Sequence, residues 1–127
     1  MRIIEVVSID AITIDAVCRN IHASCRDAGW WKPEDVGDKH VLGTKIALIH
    51  SEVSEMLEGL RKNLPDDHLP EESMEGVEAA DIFIRLADYC GARGINLGSL
   101  VAKKLAYNAQ RADHKLGARE AEHGKKF

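Results

Sequence analysis

At 127 residues, 45% hydrophobic and 30% charged, the chain fits one soluble domain with a modest core. A net charge of −4 disfavours duplex nucleic-acid binding, and an aromatic content of 5% disfavours an aromatic-rich sandwich or barrel. The N-terminal MRIIEVVSIDAITIDAV has acids inside its apolar stretch and no basic leader region, and no apolar run approaches the ~20 residues of a membrane span, so neither a signal peptide nor a membrane partner is expected and a cytoplasmic location follows.

In chain order, a first helix is predicted over about residues 9–28, where Ile14, Val17, Cys18, Ile21, Cys25 and Ala28 recur at three- and four-residue steps. Cys18, Cys25 and Cys90 lack the spacing of a disulfide framework or a zinc site and read as small buried residues. His22 lies beside the helical stripe, where it can line a pocket. Trp30 and Trp31 follow in a Gly- and Pro-punctuated loop, where they either stack on a base or plug the end of the bundle. A second helix is predicted over 41–62, with Ile46, Ile49, Val53, Leu57 and Leu60 as its core stripe. After the loop NLPDDHLP, a third begins near Pro70 or Ser73, with Glu71 and Glu72 in its first turn, and ends near Cys90 with Gly91 and Gly94 as caps. A fourth begins near Asn96, a candidate N-cap, and runs to about His114. The first seven residues can form a short extended segment, and the tail 115–127 is polar. The expectation is an all-α, four-helix domain over 1–114 in which the second and third helices are antiparallel.

The third helix carries the most information. At about 100° per residue, Glu78, Asp81, Arg85 and Asp88 fall within one sector of roughly 80°, and the rest of the circumference is almost wholly apolar. On the second helix, Glu52 and Glu55 are neighbours at i and i+3, with Lys45 on the same side. An antiparallel pair brings Glu52 and Glu55 opposite Glu78 and Asp81, and four converging carboxylates require a cation. Four hard oxygen donors suit Mg²⁺ or Mn²⁺; the Glu-x-x-His pairs of helical di-iron sites are absent.

Glu52-Val-Ser-Glu55 followed by Glu78-Ala-Ala-Asp81, within KIALIHSEVSEMLEGLRK and EGVEAADIFIRLADY, resembles the ExxE…ExxD signature of the MazG-like, all-α nucleoside triphosphate pyrophosphohydrolases. KKLAYNAQRADHK resembles the family's C-terminal Lys-x-x-x-Asn-x-x-Arg element, so the likeness spans about residues 45–114. It implies that Glu52, Glu55, Glu78 and Asp81 bind Mg²⁺, and that water attacks the α-phosphorus of a (d)NTP to release monophosphate and pyrophosphate. Some members carry a further acid before the first motif glutamate as general base. Serine stands there in this chain, at Ser51, which leaves the identity of the base open among groups that include the four motif acids; Glu52 and Glu55 are the catalytic candidates.

On the fourth helix, Lys104, Asn108 and Arg111 continue the apolar face of Leu97, Leu100 and Val101, and their chemistry suits phosphate oxygens. Trp30, Trp31, Lys45 and His22 complete the substrate-binding candidates. The third helix is apolar on more sides than one small chain covers, which predicts a homodimer or dimer of dimers. Two other functions fit the same features: a non-catalytic nucleotide- or metal-binding regulatory module, and a hydrolase of a related substrate such as phosphoribosyl-ATP.

Overall fold

The computed structural model describes residues 9–111, which form α1 (Ala11–Asp27), a single 3-10 turn (Pro33–Gly37), α2 (Lys39–Lys62), α3 (Met74–Arg93) and α4 (Leu97–Gln110). Among the described residues there is no strand, only an isolated bridge between Pro65 and Ser73. The all-α expectation therefore holds. The anticipated extended segment at the N-terminus, His114 and the tail lie outside the described residues. No described helix is long and apolar enough to cross a membrane.

Local chemistry sets the helix ends. The Asp38 side chain accepts from the His40 and Val41 amides and opens α2, two residues earlier than the apolar pattern predicts. Asn63 closes α2 in the left-handed conformation, φ 52°, and Gly94 closes α3 at φ 65°. Helix α3 does not begin at Pro70. Asp66 accepts from the His68 and Leu69 amides, and the Asp66 amide donates to the Glu72 carbonyl. These bonds hold the segment as a loop, Glu71 and Glu72 stay outside the helix, and Ser73 caps it through the Gly76 amide. Asn96 occupies the first cap position of α4 but makes no side-chain cap bond. Helix α4 closes at Gln110, with Arg111 in extended backbone.

The chain divides into two compact units, residues 16–95 and residues 1–15 with 96–127. In the second of these, the Asp15 carboxylate accepts from the Gly98 amide at 2.8 Å, which supplies the N-terminal cap that Asn96 does not.

In the unit 16–95, α2 and α3 are antiparallel: Gly59 abuts Met74 and Glu75, while Glu52 pairs with Arg85 further along α3. A Cβ on Gly59 would lie 2.9 Å from the Glu75 amide nitrogen, so the hairpin closes this tightly only with glycine there. Gly91 does the same for α1 and α3, since a Cβ would lie 2.6 Å from the Cys18 carbonyl and from His22 Cβ. The three cysteines are buried and free. Cys25, Trp31 and Leu42 form the core, packed by Ile21, Val36, Tyr89 and Ala92.

The face of α2 contradicts the sequence expectation, whereas α3 leaves apolar surface uncovered as its near-continuous apolar circumference predicts. Val53, Leu57 and Leu60, read as core, are 48%, 56% and 60% exposed, and Ile46 is also exposed. The buried residues of α2 are Leu42, Glu52 and Gly59. On α3, Phe83, Ile84 and Leu86 are exposed while Glu78 and Asp88 are buried. Each helix thus buries acids together with small or apolar residues, Glu52 with Leu42 and Gly59 on α2 and Glu78 and Asp88 with Ala87 and Cys90 on α3, and leaves apolar side chains uncovered.

Candidate metal centre

Glu52 and Glu55 project from α2 and Glu78 from α3. Each offers a carboxylate oxygen within 4.8 Å of those of the other two. Helical spacing sets the first pair on one surface, and the antiparallel hairpin delivers the third. Glu52 and Glu78 are buried and Glu55 is exposed, so the cluster has one open side. Asp81, expected as a fourth member, lies outside this group of three. It still stands within electrostatic reach: burial and the Glu52 charge hold its carboxyl above the usual aspartate range, although Arg85 acts in the opposite sense.

The electrostatics are those of carboxylates forced together. Burial first, then contact with Glu52 and the charges of Glu55, Glu52 and Asp81, together raise Glu78 to about 8. Burial also opposes ionisation of Glu52, but its hydrogen bonds with Glu78 and Arg85 outweigh that and hold it below the usual range. The pair is thus driven in opposite directions, Glu78 towards its protonated form and Glu52 towards its ionised form. Glu78 Oε2 is a buried oxygen with no hydrogen-bond partner, on a residue only 7% exposed. An orphaned buried carboxylate oxygen among acids is costly. The donor set, all hard oxygen, fits a divalent cation of the Mg²⁺ or Mn²⁺ type.

Arg85, four residues after Asp81, was legible in the charged sector but had no assigned role. Its Nε donates to Glu52 Oε1 at 2.7 Å, and its guanidinium lies 5.9 Å from the ring of Trp30. Asp88 ends the same sector. It is 4% exposed, accepts from Trp31 Nε1 through both oxygens at 2.9 Å, and lies 2.9 Å from His22 Nδ1.

The remaining sequence candidates divide clearly. Trp31 is 7% exposed and belongs to the core, which is the bundle-plug alternative; yet with His22, Arg26, Lys32, Pro33 and Val36 it also lines a cavity of about 270 Å³. His22 and Trp31 meet edge to face at 5.6 Å. Trp30 is 48% exposed. Lys45 donates to the Trp30 carbonyl at 2.8 Å and lies 4.5 Å over the Trp31 ring, so it braces the tryptophan loop. Lys104 on α4 and Arg111 just beyond its end flank Tyr107 at 4.8 and 5.7 Å, and Asn108 has a buried Oδ1 without a hydrogen-bond partner. These three belong to the unit 1–15 with 96–127.

No family model matches this chain, and neither the curated proteins nor the solved structures contain a detectable match.

Proposed function

We propose that this chain is a metal-dependent nucleoside triphosphate pyrophosphohydrolase of the MazG-like kind, converting a (d)NTP and water to a (d)NMP and pyrophosphate. The observation that carries the reading is the orphaned Glu78 Oε2 within a cluster of three carboxylates from two helices. Glu52, Glu55 and Glu78 would hold Mg²⁺ or Mn²⁺, with Asp81 beside them. The cation, when bound, supplies charge neutralisation for the phosphates and acidifies a coordinated water.

The chain's own residues contribute the rest. Glu78 must release its proton for the cluster to bind a cation, since ligating carboxylates are ionised. Glu55, exposed on the open side, is the acid best situated to accept a proton from attacking water. The cavity beside His22 and Trp31, with its aromatic wall and the nearby cations Arg26 and Lys32, suits a nucleobase. The phosphate-binding role of Lys104, Asn108 and Arg111 rests on residue chemistry and on the resemblance of KKLAYNAQRADHK.

The reading includes a homodimer or dimer of dimers. Val53, Leu57 and Leu60 are exposed on α2, as are Phe83 and Leu86 on α3. Packing these side chains against a second copy would remove them from water, which supports the assembly.

The test is a panel of NTPs and dNTPs with Mg²⁺ or Mn²⁺, following pyrophosphate and monophosphate release. Primary release of orthophosphate and diphosphate rules out α–β cleavage. Metal and nucleotide binding with no turnover favours the regulatory-module alternative.

A further inference from the structure

We propose that Arg85 is an exchangeable counter-ion: it neutralises Glu52 in the metal-free centre and passes to a phosphate oxygen of the nucleotide once Glu52 is engaged by metal. The inference rests on the metal-site reading above and adds a role for a residue outside the acid motif.

Three observations carry it. The Arg85–Glu52 pair, Nε to Oε1 at 2.7 Å, is the ion pair made by the three-carboxylate cluster among the described residues. A divalent cation bound by Glu52 therefore meets a guanidinium already on one oxygen of that carboxylate, and the two positive charges compete. Second, the Nε contact is the hydrogen bond that Arg85 makes among the described residues, which leaves the terminal fork of its guanidinium available. A planar guanidinium matches phosphate oxygens two at a time, which an ammonium does not. Third, the Arg85 side chain is 27% exposed and that of Glu52 11%. The guanidinium also lies against the ring of Trp30, itself 48% exposed. Arg85 is thus the solvent-facing member of the pair, and an aromatic face flanks it without requiring a hydrogen bond. The group can change partner without a buried charge being left alone.

The consequence is a coupling of opposite signs. Arg85 weakens binding of the bare metal and strengthens binding of nucleotide with metal. Calorimetric titration of Mn²⁺ alone, and of an α,β-methylene nucleoside triphosphate in saturating Mn²⁺, reads the two terms separately in the wild type, Arg85→Gln and Arg85→Lys. Neither measurement depends on turnover. Arg85→Gln is expected to bind Mn²⁺ about tenfold more tightly, the scale on which one charge within a few ångströms acts on another ionic equilibrium. The same variant should bind the analogue about tenfold more weakly. Arg85→Lys keeps the charge and loses the fork, so its Mn²⁺ affinity should stay near wild type while analogue binding falls. Circular dichroism of both variants establishes that the helices persist. If Arg85→Gln binds Mn²⁺ less tightly or equally, Arg85 is a fixed brace for Glu52, and the inference fails while the metal reading stands. Unchanged analogue affinity in Arg85→Gln also overturns it. If no protein binds Mn²⁺, the metal reading itself has failed.

Discussion

Trp31 Nε1 donates to both carboxylate oxygens of Asp88, 2.9 Å to each, across 57 residues of sequence. The same carboxylate lies against His22, so one buried acid ties the tryptophan loop and α1 to α3. Asp88→Ala should cost about 2–4 kcal/mol, because it leaves the indole N–H without its acceptor inside the core. Asp88→Asn keeps an acceptor oxygen and should cost less. Urea denaturation followed by tryptophan fluorescence measures both, and a wild-type midpoint for Asp88→Ala would show that this network does not hold the loop.

The metal-free protein should lose stability as pH rises from about 4.5 to about 8. Glu78 has an ordinary value of 4.5 and is held at about 8 in the fold. Between these values the folded chain binds the proton that the unfolded chain releases. The contribution is therefore complete below about 4.5 and lost as pH climbs through about 8, and is on the order of a few kcal/mol. Glu78→Gln removes the ionisation and should flatten this limb of the stability profile. Thermal melts across pH in the presence of chelator provide the measurement; equal slopes in both proteins would contradict the assignment.

Glu52, Glu55 and Glu78 should behave as one unit towards metal. Alanine at any one of them should remove most Mn²⁺ binding and turnover, and a second replacement should add little. Asp81 stands apart from the cluster, so Asp81→Ala should retain measurable metal binding with reduced affinity. Titration of each variant without nucleotide separates the two classes. Full metal affinity in Glu78→Ala would remove the centre from consideration.

The uncovered side of α2 should be an interface between copies of the chain. Sedimentation at micromolar concentration is expected to give a multiple of the 14.0 kDa chain mass. Leu57→Lys, at a position 56% exposed within one chain, should shift the protein towards monomer while its circular dichroism remains helical. A monomeric wild type would leave the apolar side without this explanation.

Helix number, approximate extents and several stops were legible in the sequence, because periodicity and capping are local. Gly94 and Asn63 end helices through their own backbone conformations, and the apolar recurrence of residues 14–28 needs no partner to be seen. The convergence of Glu52 and Glu55 with Glu78 was also within reach. A helix fixes the angle between its own residues, and a short connection between two helices makes them antiparallel.

Tertiary structure alone decided which way each helix faces. Ile46, Val53, Leu57 and Leu60 share a stripe whatever the fold, but the rotation of α2 about its axis depends on what α3 and α1 present to it. Periodicity measures relative direction and carries no absolute zero. Here Gly59 permits close approach to α3, and Arg85 of α3 satisfies Glu52 on that side of α2, so Glu52 turns inward and the aliphatic stripe outward. The same physics explains Asp81, which shares its sector with Glu78 yet stands off the cluster. It also explains Asp15, which caps α4 from 83 residues away. Long-range hydrogen bonds depend on distances between elements, and local sequence pattern does not encode those distances.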